Sequence, residues 1–425
     1  MSSISLTPQA SPVEATVDIP GSKSYTNRAL LIASLTPGVV EIVRPLISDD
    51  TEAMLSCLGA LGIQSSRTYS GIRISNDISA TKAGAIDLDA RISGTTIRFI
   101  LALSCVLPGT KTVHGEAPLN KRPIKDLVDA LRQLGAEIEY TGQEGFPPLR
   151  VSSSKLRPGT VRMSGSISSQ YLSALLMVAP LIGEVIIEVE GEQISKPYID
   201  MTIETMRECG VSVVNDSYKR YVIPAGHQYS VREFFIEGDV SSAGYFAAIA
   251  AITKSTITLA HMNPKSLQAD MGFLKILEQM GNEIVYEERA ITVVGKGVKA
   301  MEVDMEHCPD QAQTLAVLAA FAPGKTVISG VRSLRVKETE RVKALEQELA
   351  KMGIKTESTN DVLTIYGGSP QAATIDTYGD HRMAMSFAVA GAVLPGMRIN
   401  NPEVVGKTFP DFWDKLQSIG IAIHS

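Results

Sequence analysis

Two acidic side chains stand out among cations: Asp310 in PDQAQT, and Glu338 in RVKETER between Lys337 and Arg341. A carboxylate facing a substrate hydroxyl can take its proton, and a second carboxyl group with a raised pKa can give one to carbon or oxygen. Structural roles compete with that reading. Asp310 could simply cap a buried helix, and Glu338 could be an ion-pair partner of Arg341 at helical spacing. Around them, basic residues sit beside Gly, Ser or Pro: Lys23 and Arg28, Arg98, Arg122 in NKRPI, Arg382 in GDHRM and Lys407 in GKTFP. Arg binds carboxylate or phosphate through two parallel hydrogen bonds, and Lys supplies a mobile point charge. The set predicts a ligand carrying several negative charges. No Ser, Cys and His arrangement suggests nucleophilic catalysis.

Common anion-binding signatures do not account for these residues. GKT occurs at Gly324 and Gly406, but Ala319 and Asn401 stand where a P-loop needs its first glycine. GKGVKA, from Gly295 to Ala300, loosely echoes a dinucleotide fingerprint yet leads into the acidic turn MEVDMEH instead of a helix. The six His are dispersed without paired ligand spacing, so no protein-held metal is expected. A net charge of -6 argues against general nucleic-acid affinity, and 44% hydrophobic with 20% charged residues argues against disorder. The first twenty residues lack the features of a signal or transit peptide. The most apolar stretch, Tyr171 to Ile187, is broken by Ser173, Pro180, Gly183 and Glu184, so no membrane span is expected. Cys57, Cys105, Cys209 and Cys308 lie far apart among apolar neighbours, as buried reduced thiols of a cytoplasmic protein would.

A repeat positions these residues. Six times a helical pattern ends in an apolar residue and a glycine, at Gly62, Gly135, Gly210, Gly281, Gly353 and Gly420, spaced 73, 75, 71, 72 and 67 residues apart. Leu or Met lies four residues before each glycine, giving an apolar face that stops where a left-handed residue can end the helix. Ahead of each amphipathic helix runs a nearly apolar one, such as SGTTIRFILALSCVL or PDQAQTLAVLAAFA, which must be buried. Polar starts at Ser24, Ser93, Ser168, Ser241, Asp310 and Asp380 are expected to cap these helices, whose free amides can hold an anion. The unit is strand, buried helix, strand, amphipathic helix and strand. Six copies divide into two halves of three, with a change of domain expected around Ser230 to Glu237.

The ordered motifs PGSKSYTNRALLIASL, SGTTIRF, NKRPI, SISSQYLSALL, SKPYIDMT, EGDVSSAGYF, PDQAQT, RVKETERV, YGDHRMAM and GKTFPDFW resemble those of the 3-phosphoshikimate 1-carboxyvinyltransferases, or EPSP synthases, nearly end to end. The resemblance implies an α/β fold of two similar domains, each of three βαβαββ repeats, in an inverse α/β barrel of the enolpyruvyl transferase kind. The expected domains are 21–235, and 1–20 joined with 236–425, because the family's N-terminal strand belongs to the second domain. The implied reaction transfers the carboxyvinyl group of phosphoenolpyruvate to the 5-hydroxyl of shikimate 3-phosphate by addition and elimination of phosphate, without cofactor or metal. Lys23, Ser24, Arg28, Ser168, Ser169, Gln170, Ser195, Tyr198, Asp310, Ser333 and Lys337 would hold shikimate 3-phosphate. Lys23, Gly94, Arg122, Gln170, Arg341, Arg382 and Lys407 would surround phosphoenolpyruvate. Asp310 would take the hydroxyl proton and Glu338 would protonate the methylene carbon, with Lys23 assisting catalysis. Partners other than these small molecules are not expected, and the chain would act as a monomer.

Three positions depart from the family pattern: Arg91 and Ile92 replace Gly-Asn before SGT, and Ser333 stands where Asn is common. The sister transferase acting on UDP-N-acetylglucosamine usually has a reactive Cys before the matching arginine, and GEAPLNKRP has none. RNA 3'-phosphate cyclase, with related repeats, would require ATP and a nucleophilic His. A non-catalytic phosphometabolite sensor would not need Asp310 and Glu338.

Overall fold

The computed structural model describes residues 2–76, 84–152, 156–166 and 168–424. One position of the SISSQYLSALL motif, 167, and the two chain ends lie outside that set. The chain divides into two compact units, Gly21–Ile236, and Met1–Pro20 with Glu237–Ser425.

The helix-ending glycines all adopt the left-handed backbone that the repeat requires, with φ between 77° and 104°. Gly62, for example, sends its amide to Gly59 O while Ile63 N reaches back to Leu58 O, so the last carbonyls of the Asp49–Ala60 helix are satisfied. The nearly apolar sequences form the helices Lys23–Leu35, Gly94–Val106 and Ser169–Val178 in one unit and Val240–Thr253, Ala312–Phe321 and His381–Gly391 in the other. In each unit the three pack on one another within a single apolar core. This explains why they lack an amphipathic face: Phe246, Leu315 and Phe387 are all fully buried, with no solvent side to serve.

Among the described residues the strands form six separate four-stranded sheets, three per unit, all built on one plan. A parallel pair is followed by two antiparallel strands, as in Glu302–Asp304 beside Gly324–Ser329, then Val362–Gly367, then Lys355–Ser358. The helices occupy the core and the sheets stay open, so the expected inverse barrel has helices inside and no closed ring of strands.

The chain ends complete this plan out of sequence. Glu14–Asp18 supplies the parallel strand beside Thr256–Ala260, and Ser3–Thr7 fills the antiparallel place between Met397–Asn400 and Ala422–His424. Two N-terminal strands therefore serve the C-terminal unit, where one was expected. In the other unit Glu233–Phe235 pairs in parallel with Gly38–Val43 before the chain leaves it. Gly21 is needed at the first crossing because an added Cβ would sit 3.1 Å from Leu46 N and against Arg44 O.

Candidate active site

In the Gly21–Ile236 unit the cations gather where buried helices begin. Ser22, not Ser24, caps the first helix: its hydroxyl accepts from Tyr25 N, and Ser24 lies inside the first turn. Lys23 Nζ lies 3.3 Å from the buried Asp50 carboxylate. Arg28 is buried and donates to Thr202 Oγ1 (2.8 Å), Ser24 O (3.0 Å), Ser173 Oγ (3.3 Å) and Tyr198 O (3.0 Å). It thus joins three helices and meets no carboxylate among the described residues. Burial pulls its pKa down to about 10, so it still carries its charge at neutral pH. Ser195 opens the Lys196–Glu208 helix in the left-handed region at φ 54°, and its side chain makes no capping bond. Such strain in a non-Gly residue costs about 1 to 2 kcal/mol.

A second group forms at the Gly94–Val106 helix, which Ser93 caps through Thr96 N. Both Arg122 and Arg98 bring their guanidinium groups against Gly94, where an added Cβ would lie 2.9 Å from Arg122 Cζ and 3.1 Å from Arg98 Nη1. Arg98 also donates to Gln170 Oε1, while Gln170 Nε2 donates to Thr95 Oγ1 at 3.2 Å. Ser168 caps the next helix by accepting from Gln170 N, with the buried Ser169 beside it. Tyr171 OH donates to Pro123 O at 2.5 Å and so fastens the Arg122 loop to that helix. Two guanidinium groups at a helix N-terminus can bind a carboxylate or phosphate.

In the other unit the acids and bases close into one network around Arg341, which is 1% exposed. Its Nε donates to Asp380 Oδ2 at 2.7 Å and its Nη2 to Asp380 Oδ1 at 3.3 Å. Nη1 reaches Asp310 Oδ1 at 3.3 Å, and Nη2 also reaches Glu338 Oε2 at 2.8 Å. Arg382 Nη2 donates to Asp310 Oδ2 at 2.9 Å and its Nη1 to Tyr245 OH at 3.2 Å. Lys337 Nζ stands 3.7 Å from Asp310, and Lys407 Nζ donates to Glu338 Oε1 at 3.0 Å. Burial alone would raise the Asp310 carboxyl, but Arg382, Lys337 and Arg341 together overcome it and hold the group well below the usual carboxylate range. Arg341 is itself held above its ordinary value, since Asp380, Glu338 and Asp310 outweigh the effect of burial.

These contacts correct part of the expected capping. Asp310 is not the cap of its helix: it lies in the short turn Pro309–Gln311, and its carboxylate faces the three cations. Asp239, not Ser241, caps Val240–Thr253 through Ser242 N. Asp380 does cap His381–Gly391, accepting from Arg382 N. Glu338 pairs with Arg341 but precedes its helix, which starts at Arg341 with Glu340 as cap. Ser333 is half-buried on the turn Arg332–Val336, and its hydroxyl makes no hydrogen bond among the described residues. Sequence reasoning missed Asp50 and Tyr245, and treated Asp380 only as a cap. The basic side chains nearby were the one signal that buried acids must exist to balance them.

The chain matches the family description "EPSP synthase (3-phosphoshikimate 1-carboxyvinyltransferase)" over residues 8–416. It belongs to the EPSP synthase family. Relatives named 3-phosphoshikimate 1-carboxyvinyltransferase include those of Vibrio vulnificus, 43% identical with 99% of each chain covered, and Photobacterium profundum, 42% identical with 99% of each covered. The solved EPSP synthase of Acinetobacter baumannii shares the fold at a TM-score of 0.84 and 24% identity, with 100% of both chains covered. Within the EPSP synthase pattern the departures now have positions. Arg91 holds φ 51°, a conformation that glycine adopts freely, and Ile92 sits half-buried just before the cap Ser93.

Proposed function

We propose that this chain is a 3-phosphoshikimate 1-carboxyvinyltransferase (EC 2.5.1.19), moving the carboxyvinyl group of phosphoenolpyruvate onto the 5-hydroxyl of shikimate 3-phosphate. The observation that carries the reading is the meeting of Asp310 and Glu338 on the Arg341 guanidinium, one facing Arg382 and Lys337 and the other Lys407. On the Gly21–Ile236 unit, Lys23, Ser24, Arg28, Ser168, Ser169, Gln170, Ser195 and Tyr198 bind shikimate 3-phosphate. Lys23, Gly94, Arg122 and Gln170 of that unit also bind phosphoenolpyruvate. On the other unit Ser333 and Lys337 bind shikimate 3-phosphate, whereas Arg341, Arg382 and Lys407 bind phosphoenolpyruvate.

Asp310 takes the proton of the 5-hydroxyl as its oxygen attacks C2 of phosphoenolpyruvate, and Glu338, which takes up a proton from solvent once the substrate displaces it from Arg341 and Lys407, gives that proton to the methylene carbon. The tetrahedral adduct then returns a methyl proton to the Glu338 carboxylate as the bond from C2 to the phosphate oxygen breaks, the double bond is restored, and the proton held by Asp310 leaves with the phosphate. Cations fixed in advance by Asp380 and Asp310 stabilise the phosphate as it gains charge, with no reorganisation at the moment of reaction. The anionic groups of phosphoenolpyruvate compete with Glu338 for Arg341 and Lys407, which frees the Glu338 carboxyl for proton transfer.

The test is phosphate release on mixing purified protein with both substrates. Release only when both are present is expected; release with UDP-N-acetylglucosamine in place of shikimate 3-phosphate would transfer the protein to the sister activity. Glu338→Gln preserves shape and removes the acid, and kcat should fall about 10²- to 10⁴-fold with both ligands still bound. Near-normal turnover in that variant would leave Glu338 an ion-pair partner only. We place the reaction in the cytoplasm, in aromatic amino-acid biosynthesis, and assign it to the monomer. Reduced, buried thiols support the compartment. Among the described residues no helix is long and apolar enough to cross a membrane.

A further inference from the structure

A fourth carboxyl group stands beside the Arg341 network and has no part in the reaction so far. Asp270 occupies the cap position of Met271–Gln279 but makes no capping bond to that helix. Its carboxyl turns to the start of another, where Ser241 Oγ donates to Oδ2. Asp270 is 3% exposed, and Oδ1 is buried without a hydrogen-bond partner among the described residues. Ser241 is tied to the Asp310 turn in turn, because Gln311 Nε2 donates to Ser241 O at 3.0 Å. The charged and titratable groups that act on the Asp270 carboxyl are Asp310, Arg382 and Asp239, with the Cys308 thiol also in range.

We propose that Asp270 is a positioning residue whose charge sets how strongly Asp310 can draw a proton from the substrate. The inference rests on the reading of Asp310 as the base. Its physical ground is a charge count. Arg341, Arg382, Lys337 and Lys407 face Asp310, Glu338 and Asp380, which leaves one positive charge while Asp270 is neutral. That surplus favours anionic substrate but keeps Asp310 a weak base. When Asp270 ionises, the surplus is cancelled: Asp310 gains proton affinity and the network loses attraction for anions. Burial first, then the Asp310 charge, push the Asp270 carboxyl up to about 7, against Arg382 and the Ser241 hydrogen bond, so this change falls at neutral pH.

The prediction is a split between kcat and KM. As Asp270 loses its proton near pH 7, kcat should rise and KM for phosphoenolpyruvate should rise with it. Asp270→Asn should match the parent at pH 6; at pH 8 it should show kcat lower and KM lower, each on the order of tenfold. Titration of the substrate phosphates affects both proteins alike and cancels in the ratio. Ser241→Ala retains the carboxyl and removes a donor to its ionised form, so it should move the rise in kcat to higher pH. These opposed changes are not what a packing defect produces.

Carboxyl ¹³C titration of aspartate-labelled protein reads the charge without turnover. The resonance absent from Asp270→Asn should titrate near neutrality, and the Asp310 resonance should shift with it. Titration of Asp270 alongside exposed aspartates, or a kcat rise that survives Asp270→Asn at the same pH, would overturn the proposal alone. Near-normal turnover by Asp310→Asn would overturn the base assignment and this proposal together.

Discussion

Replacing Arg341 by Gln should strip three carboxylates of one shared partner, and the structure predicts which of them makes the loss severe. Asp310 keeps Arg382 at 2.9 Å and Lys337 at 3.7 Å, and Glu338 keeps Lys407 at 3.0 Å. Asp380 is fully buried and retains chiefly the Arg382 amide at 2.9 Å and the His381 ring at 3.6 Å. A buried carboxylate that loses its guanidinium typically costs about 3 to 5 kcal/mol, most of it the burial of an unpaired charge. Adding Asp380→Asn removes that charge, so the double variant should be more stable than Arg341→Gln alone by about 2 kcal/mol or more. The assay is built into the chain. Trp413 is its one tryptophan and lies in the unit that carries Arg341, so urea unfolding followed by Trp fluorescence reports that unit. A single-variant loss below about 1 kcal/mol, or losses in the double variant that simply add, would refute the claim that Asp380 depends on Arg341.

Three further outcomes follow from other parts of the molecule. Arg91→Gly should raise stability by about 0.5 to 1 kcal/mol, the left-handed strain at φ 51° less the extra entropy of an unfolded glycine; a lower melting temperature would contradict it. Burial pushes the thiols of Cys57, Cys105, Cys209 and Cys308 each up to about 12, so none should react with a thiol reagent at pH 8 until the chain unfolds. A substrate-protected reaction at one of them would defeat that expectation. The Asp270 carboxyl is raised from 3.8 to about 7, so the folded state holds a proton that the unfolded state releases between those values. Relative to Asp270→Asn, the parent should therefore lose stability as pH rises from 4 to 7, by on the order of a few kcal/mol, with the two converging below pH 4. A constant difference across that range would mean that Asp270 titrates normally.

The repeat was legible because two periodicities agreed with one punctuation mark. An apolar helix, an amphipathic helix and a glycine recur at nearly equal spacing, and all six glycines take positive φ. What local pattern could not show is any arrangement that depends on leaving sequence order; only the family resemblance joined residues 1–20 to the second domain, and it implied one strand there, not two. Glu14–Asp18 and Ser3–Thr7 read as an unremarkable N-terminus, yet they finish two sheets whose other strands lie beyond residue 255. Their partners are set by which repeat lacks a strand, and local propensity carries no such information.

The candidate site divides along the same line. Lys337, Glu338 and Arg341 share one segment, and their types alone suggested a charged network. Asp380 and Asp270 each stand at the start of a different helix, where an acid is ordinary; the expected cap reading of Asp380 is correct but incomplete, and Asp270 drew no expectation at all. Asp380 caps its own helix and also binds Arg341, so a single carboxylate satisfies helix amides and fixes the central cation. Asp270 abandons its own helix for Ser241 on another. The difference is tertiary. Three buried helices begin near one another in this unit, and each brings free amides with partial positive charge to the same place. Cations added there for an anionic substrate need carboxylates to hold them, and helix-start acids are the ones within reach. The acids that look like caps in the sequence are therefore the ones that set the charge of the site.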